Sequence, residues 1–209
     1  MTKAKPAADD NPACKIISRE MIFDGYHKLE MFRVQPRSLS HDGWADEMER
    51  EIFYGKDIAV VLLYIPETDE ILLNQQFRLG AQLAGVEDPF LMECAAGAVD
   101  EGETPEEAAK REAHEETGCE IIDLEYIGNS YSSPGCMAEK FYLYMGRIEK
   151  AESGIYGHDE GEEIKTHLLP AKKVIEMLDA GEIANITTAL MLQWFARNHE
   201  RLRGKWTGK

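Results

Sequence analysis

The fold of this chain is decided by the stretch GAVDEGETPEEAAKREAHEETGC at residues 97–119. Within it, TPEE at 104–107 is a strong helix start, because Thr104 is a favoured N-cap residue, proline suits the first helical position and Glu107 completes a capping box. Gly118 is a favoured residue just past the end of a helix. The stretch therefore predicts a loop that begins at a glycine and leads into a helix ending at Gly118.

Three glutamates of this predicted helix, Glu112, Glu115 and Glu116, are spaced so that they project from a common face. Three carboxylates on one face repel each other unless a cation lies among them, and carboxylate oxygens suit Mg²⁺ or Mn²⁺. We expect Arg111 to hold a carboxylate such as Glu103 in a charge-assisted hydrogen bond. The pattern predicts a divalent-metal site, and the alternative is a solvated acidic face with salt bridges to lysines.

Gly97 stands just before the loop that leads into the helix. Glycine permits backbone conformations that other residues avoid, so we expect an unusual backbone conformation at this position. Such a conformation would turn the carbonyl of Ala96 toward the metal. The carbonyl oxygen of Ala96 is therefore a further candidate ligand.

The fixed positions of this stretch resemble the Nudix box: Gly, five residues, Glu, seven residues, Arg-Glu, an aliphatic residue, any residue, Glu-Glu, any residue, Gly and an aliphatic residue. All glycine and polar positions match, and they are Gly97, Glu103, Arg111, Glu112, Glu115, Glu116 and Gly118. The two aliphatic positions hold Ala113 and Cys119, which are smaller than usual but apolar. The resemblance implies a hydrolase that uses Mg²⁺, or Mn²⁺ in its place, with two or three ions per site. Gly97, Glu103, Arg111 and Gly118 then have structural roles.

Pro134 lies fifteen residues after Cys119, an offset that resembles the ADP-ribose diphosphatase subgroup of this family. A plain Pro-Gly turn is the alternative. The resemblance extends to most of the chain and implies an aromatic ring at Tyr26 against the adenine. It also implies further substrate-binding residues: Arg50 and Arg78 for the phosphates or the base, and Ala98 and Glu139 for the terminal ribose. Surface charge is the plain alternative for the arginines, and a core position is the alternative for Tyr26.

The acidic loop at 154–163 bears on how the attacking water is activated. The resemblance implies that Glu160 on this loop acts as the base and that Glu162 is an additional metal ligand. Asp159 and Glu163 are rivals for these roles. Glu115 is the alternative base, because other members of the family use a glutamate of the helix.

Composition excludes several classes of protein. Lys and Arg number 23 against 39 Asp and Glu, so the net charge of −16 argues against nucleic-acid binding. The N-terminus lacks the apolar run of a signal peptide, and no stretch approaches the length of a membrane span. The four cysteines form no CxxC pair, which makes a zinc site unexpected. We expect a cytoplasmic protein whose partner is a small molecule, with neither a nucleic-acid nor a membrane partner.

The order of the predicted elements favours an α/β (α+β) fold with a mixed β-sheet between helices, as in the Nudix fold. Residues 1–13 are expected to be a disordered tail, residues 14–55 a small antiparallel β extension and residues 56–209 the hydrolase domain. The extension is too small to be stable alone. The resemblance implies a homodimer that exchanges this extension and builds its active sites from both chains.

Outside the decisive stretch, hydrophobic periodicity and turn residues predict further elements. Strands are expected at 58–65, 71–77, 90–96, 121–131, 139–148 and 164–169, a loop at 80–90, and helices at 171–180 and 186–200.

We therefore expect hydrolysis of ADP-ribose to AMP and ribose 5-phosphate. Another nucleoside diphosphate sugar, GDP-mannose or a UDP-sugar, is the nearer alternative substrate. A domain that senses ADP-ribose without hydrolysing it is the more distant alternative, and the intact box argues against it.

Overall fold

The computed structural model of the chain describes residues 13–157 and 163–208. The helices are α1 (Leu79–Leu83), α2 (Pro105–Thr117), α3 (Ala171–Asp179) and α4 (Ile186–Thr207). The strands are β1 (Cys14–Asp24), β2 (Lys28–Pro36), β3 (Met48–Tyr54), β4 (Ile58–Ile65), β5 (Glu70–Phe77), β6 (Phe90–Glu93), β7 (Ala95–Ala98), β8 (Asp123–Ser130), β9 (Met137–Ala138), β10 (Phe141–Arg147), β11 (Ile155–Tyr156) and β12 (Ile164–Pro170).

Contacts between residues divide the chain into two units. Of the described residues, the N-terminal unit contains 13–57 and 131–140, and the main unit contains 58–130, 141–157 and 163–208. The domains expected from the sequence, a β extension at 14–55 and a hydrolase domain at 56–209, stay a prediction. Of the expected tail at 1–13, residues 1–12 lie outside the described part of the chain.

The N-terminal unit is a sheet in the order β1-β2-β3-β9. The first three strands are antiparallel, and β9 joins β3 in parallel. β1 ends at Asp24 and β2 begins at Lys28, so residues 25–27 form a short connection between the two strands. The carboxylate of the buried Glu30 accepts a hydrogen bond from Arg19 at 2.7 Å, which compensates part of the cost of burying its charge.

The main unit is built on a sheet in the order β11-β12-β5-β4-β10-β8, with β6 paired to β5 and β7 paired to β4. Strand β4 is parallel to β10 and antiparallel to β5 and β7, so the sheet is mixed, as predicted. Its sequence, IAVVLLYI, is apolar throughout because both of its faces are covered.

Side chains of β4 alternate between two apolar layers, because successive residues of a strand point to opposite faces. The layer toward α2 contains Ala59, Val61, Leu63, Ala108, Ala109 and Ala113. The layer toward α3 and α4 contains Val60, Leu62, Tyr64, Val174, Met191 and Phe195. The sheet therefore lies between helices, and the predicted fold class is confirmed.

Helix α2 has the ends that its sequence predicts. The Thr104 side chain accepts a hydrogen bond from the backbone N–H of Glu107, and the Glu107 side chain accepts one from the backbone N–H of Thr104. Gly118 follows the helix in the left-handed conformation, with φ of 68°. Ala113 and Cys119, the two small residues at the aliphatic positions, are both buried against the sheet.

The turn between β4 and β5 is tied to α4 through Asp69. The Asp69 carboxylate accepts a hydrogen bond from the Tyr64 hydroxyl at 2.7 Å, lies 2.5 Å from Nε2 of His199 and 3.3 Å from Arg203. Burial would raise the pKa of this carboxyl, but the hydrogen bonds with His199 and Tyr64 outweigh it and hold the pKa below its usual range. Asp69 has φ of 62°, a conformation that Asp and Asn tolerate better than most residues.

Four predicted elements differ from the structure. The loop expected at 80–90 contains α1, and the strand expected at 90–96 is two strands, β6 and β7, that pair with different neighbours. The last helix continues to Thr207 because its apolar stripe extends to the buried Leu202 and Trp206. The acidic loop at 154–163 begins with the short strand β11.

No helix in the two described ranges combines the length and the apolar character of a membrane span.

Candidate active site

The predicted carboxylates lie on α2 where that helix passes β7. Glu112 and Glu116 are one turn apart on the same face, and each is only 7% exposed. Glu115 lies beside them and is more exposed, with 42% of its side chain accessible. Burial of two carboxylates on a single face is costly unless donors or a cation compensate their charge.

Gly97 is required by a close approach and not by an unusual φ, so the prediction of an unusual conformation there is wrong. The residue lies in β7 opposite Ala59, and it is not among the residues with positive φ. A Cβ at this position would lie 1.9 Å from Oε1 of Glu112, far inside van der Waals contact. Glycine at this position leaves the space that the carboxylate of Glu112 occupies, and any side chain would require that carboxylate to move.

Arg111 connects the carboxylates of the box. Its guanidinium pairs with both oxygens of Glu103, at 2.9 and 3.0 Å, which is the pairing that the sequence predicts. The same group donates to Glu112 at 2.7 Å and to Glu115 at 2.8 Å, and to the carbonyl of Ala98 at 2.9 Å. Hydrogen bonds from Arg111 hold the pKa of the Glu103 carboxyl below its usual range, and the pKa of Arg111 is raised in turn. Glu103 is therefore an anchor for Arg111.

Glu116 is held by donors from two strands. Its Oε2 accepts a hydrogen bond from the side-chain amide of Asn74 in β5 at 2.7 Å and one from the backbone N–H of Ala96 in β7 at 3.1 Å. Both donors are neutral, so the interaction leaves the negative charge of Glu116 in place.

Arg78 follows β5 and pairs with Glu93 at the end of β6. Its Nε lies 3.1 and 3.2 Å from the two oxygens of Glu93, and Nη2 lies 2.7 Å from one of them. Glu93 is 4% exposed, whereas the Arg78 side chain is partly accessible. A guanidinium fixed by a buried carboxylate keeps a defined orientation.

Four of the predicted substrate-binding residues belong to the N-terminal unit. Tyr26 is 89% exposed and meets the ring of His27 edge-on, so a core position for it is excluded. Arg50 is exposed on β3 and donates to the carbonyl of Glu49 at 2.7 Å. Pro134 lies in an exposed turn, and Glu139 packs against Gly55.

The residues predicted to activate water and to complete the metal site, Glu160 and Glu162, lie outside the described residues, as does Asp159. Glu163 is described and is exposed at the start of β12. At the beginning of the acidic loop, Tyr156 of β11 lies against the C-terminal end of α2. The ring of Tyr156 is close enough to Gly118 that a Cβ on Gly118 would lie 3.0 Å from it. The strand that leads into the loop therefore contacts the helix that carries the box.

The oxygen donors on α2 fit a hard divalent cation by their chemistry. One guanidinium, that of Arg111, contacts three of the four carboxylates of the box, so a further positive charge is favoured among them. Across residues 13–157 and 163–208, no three His, Cys, Asp or Glu side chains gather around one point as a complete metal centre. Arg111 engages the carboxylates of Glu112 and Glu115, so metal binding requires these two carboxylates to adjust.

Sequence reasoning missed Asn74 and Glu93. Both interrupt apolar strand sequences, ILLNQQF and FLMEC, at positions that the structure buries. A polar residue within an apolar strand is expected to be buried and to need a hydrogen-bond partner. This expectation could have identified both residues from the sequence. The partners themselves depend on strand pairing, which the local sequence does not reveal.

Comparison with known proteins places these features in a family. Residues 55–190, more than half of the chain, match the model of the NUDIX domain. The chain is 33% identical over 194 residues to the ADP-ribose pyrophosphatase of Escherichia coli (strain K12), with 92% of each chain covered. It is 30% identical over 190 residues to the GDP-mannose pyrophosphatase of Salmonella choleraesuis (strain SC-B67), with 88% of this chain and 95% of that protein covered.

A solved structure supports the fold. The crystal structure of an ADP compounds hydrolase superposes with a TM-score of 0.69 at 20% identity, covering 92% of this chain and 95% of that one.

Proposed function

Because the chain belongs to the Nudix family, we propose that it hydrolyses the diphosphate bond of ADP-ribose and releases AMP and ribose 5-phosphate. The observation that carries this proposal is the paired burial of Glu112 and Glu116 beside Gly97 in a chain of this family. The substrate follows from the ADP-ribose pyrophosphatases, which are similar along almost the whole of both chains.

Enzymes of this kind use a divalent metal, which here is Mg²⁺ with Mn²⁺ able to replace it, at two or three ions per site. Glu112, Glu116 and the carbonyl of Ala96 hold it, with Glu115 and Glu162 assisting. The backbone N–H of Ala96 donates to Glu116. Because the N–H and C=O of one strand residue lie on the same side of the strand, the carbonyl of Ala96 is directed to the side of Glu116 as well, which supports its assignment as a ligand. When bound, the metal neutralises the diphosphate and activates the attacking water.

Residues of the chain itself orient the site. Arg111, anchored by Glu103, holds Glu112 and Glu115 in place and ties the helix to the carbonyl of Ala98. Glu160 accepts a proton from the attacking water. Glu115 is less suited to that role, since it would first have to release the hydrogen bond from Arg111.

The negatively charged diphosphate of the substrate requires cations, and its adenine base requires an aromatic surface. Arg50 and Arg78 bind the phosphates or the base, Tyr26 stacks on the adenine, and Ala98, Pro134 and Glu139 line the rest of the substrate site. The exposure of Tyr26 and the fixed orientation of Arg78 support these roles. We propose a cytoplasmic homodimer in which both chains contribute to each site.

GDP-mannose is the second candidate substrate, favoured by the 30% identity to a GDP-mannose pyrophosphatase. The chemistry of the box is common to both reactions, so the choice depends on the groups that bind the base and the sugar.

A substrate panel tests the proposal. Initial rates with Mg²⁺ are measured for ADP-ribose, GDP-mannose, UDP-glucose, NADH and diadenosine polyphosphates. We expect kcat/KM for ADP-ribose to exceed the others by about tenfold or more, equivalent to about 1.4 kcal/mol in transition-state binding. A preference of that size for GDP-mannose would replace the proposed substrate, and no turnover of any of them with Mg²⁺ or Mn²⁺ would refute the proposed reaction.

A further inference from the structure

One oxygen of Glu116 accepts two hydrogen bonds from outside its own helix. Oε2 lies 2.7 Å from the side-chain nitrogen of Asn74 and 3.1 Å from the backbone nitrogen of Ala96. Asn74 is 1% exposed and lies in the centre of β5, where it is paired with Thr166 of β12 on one side and with Glu93 of β6 on the other. Its backbone is therefore held by two strands, and its side-chain amide is enclosed beside Glu116.

The position of Asn74 on its strand is unusual. The apolar Leu72 of β5 belongs to the layer toward α2, and the next residue on that face, two positions along, is Asn74. A leucine at position 74 would continue the apolar layer, whereas asparagine places a donor under Glu116. Burying a side-chain amide is unfavourable unless its N–H groups find acceptors. The hydrogen bond from Asn74 to the carboxylate of Glu116 therefore has to offset the cost of burying this amide.

Two donors on Oε2 fix the rotation of the Glu116 carboxylate. With that rotation fixed, the direction of the other oxygen, Oε1, is fixed as well. Ligands of metal sites are commonly oriented in this way by outer residues, whose loss typically costs 10–100-fold in metal affinity or activity.

We propose that Asn74 is a positioning residue that orients Glu116 for binding of the divalent metal. The inference rests on the proposed function in one respect, that the carboxylates of α2 bind a divalent cation. It adds to the site a residue from β5, 42 positions before Glu116 and outside the box.

The test is Asn74→Leu, which preserves the approximate size of the side chain and removes the donor. Mn²⁺ is titrated into the full-length protein without substrate, by calorimetry and by electron paramagnetic resonance. We expect the Kd for Mn²⁺ to rise about tenfold or more. In steady-state assays, kcat should fall while KM for ADP-ribose changes little, because Asn74 acts on the metal ligand and not on the substrate.

The matched control is Gln75→Leu. Gln75 is the next residue of the same strand, points to the opposite face and shares a hydrogen bond with His167 at 2.9 Å. We expect this variant to bind Mn²⁺ as the unchanged protein does, even where its thermal stability falls.

An unchanged Kd for Mn²⁺ in Asn74→Leu, with a lower melting temperature without metal, would show a purely structural role and overturn the proposal. Absence of Mn²⁺ binding by the unchanged protein would overturn it too. Should Asn74→Leu not fold, Asn74→Ala is measured in the same way. Because the titration contains no substrate, a loss of Mn²⁺ affinity supports the role of Asn74 even where the unchanged protein does not hydrolyse ADP-ribose.

Discussion

At the scale of single residues, Arg111 connects several of the described carboxylates of the site. It binds Glu103 through two parallel hydrogen bonds and contacts Glu112 and Glu115 as well. The sequence predicts the pair with Glu103 because charge and spacing suffice for it. The contacts with Glu112 and Glu115 depend on side-chain rotamers in a crowded site, and the pattern of the box does not contain that information.

The metal role of the buried glutamates is tested by Glu112→Gln and Glu116→Gln. Glutamine keeps the shape but removes the charge that a divalent cation needs, so we expect activity with Mg²⁺ to be abolished and the fold to be retained, as judged by circular dichroism. The matched control is Glu106→Gln, because Glu106 lies on the same helix but is exposed and paired with Lys110. Unchanged turnover in either test variant would refute the assignment.

Arg78 is tested by Arg78→Ala. We expect KM for ADP-ribose to rise about tenfold with a smaller change in kcat, because a binding contact equally strong in the ground and transition states is lost. Arg201→Ala is the control, since Arg201 pairs with Glu125 on the surface of the main unit. A fall in kcat at constant KM would instead show that Arg78 acts on the transition state.

At the scale of elements, the ends of α2 were predictable and the pairing of strands was not. Helix α2 begins and ends as its capping box and Gly118 require, since these interactions are local in sequence. The division of 90–98 into β6 and β7 depends on two partner strands, β5 and β4. The role of Gly97 was missed for the same reason. The carboxylate that occupies the space beside Gly97 belongs to Glu112 of α2, whereas Gly97 lies in β7.

The end of α2 is tested by Gly118→Ala. Gly118 and Gly181 both have φ near 70°, but a Cβ on Gly118 would meet Tyr156 at 3.0 Å and a Cβ on Gly181 would meet nothing within 4 Å. We expect Gly181→Ala to lower the free energy of unfolding by about 1 kcal/mol and Gly118→Ala by about 2 kcal/mol or more. Urea denaturation measures both, and equal losses would show that Tyr156 moves aside without cost.

At the scale of the whole molecule, charge repulsion has to be overcome, because a chain of net charge −16 is proposed to bind a negatively charged diphosphate. Part of the proposed answer is Arg78, a cation that the buried Glu93 holds in place. A bound divalent cation would complete the proposed compensation. The sequence predicts the pair of Arg111 with Glu103 but not the pair of Arg78 with Glu93.

The stability of the whole chain should depend on pH through Asp69. Its folded pKa is depressed, so its contribution is present above the usual Asp pKa of about 3.9 and is lost as pH falls through the lower folded value. Asp69→Asn keeps a residue that tolerates the left-handed backbone, and we expect it to lower the free energy of unfolding at pH 7 by about 1–2 kcal/mol. The difference should shrink in urea denaturation series carried toward pH 3.

Asp179→Asn is the control for that series, because Asp179 is exposed at the end of α3. A difference between Asp69→Asn and the unchanged protein that stays constant from pH 7 to pH 3 would contradict the role of the charge.

The expected homodimer is tested by light scattering, which should give twice the monomer mass. A monomer mass at working concentration would refute a site built from both chains.

The close approach of Glu112 to Gly97 also restricts which substitutions the two positions can accept during evolution. An alanine at 97 would force the carboxylate of Glu112 to move, and a shorter residue at 112 that would admit the alanine would remove a proposed metal ligand. The two codons are therefore coupled for as long as catalysis is under selection. In a duplicated copy that no longer needs catalysis, this coupling would be lifted and a side chain could be accepted at position 97.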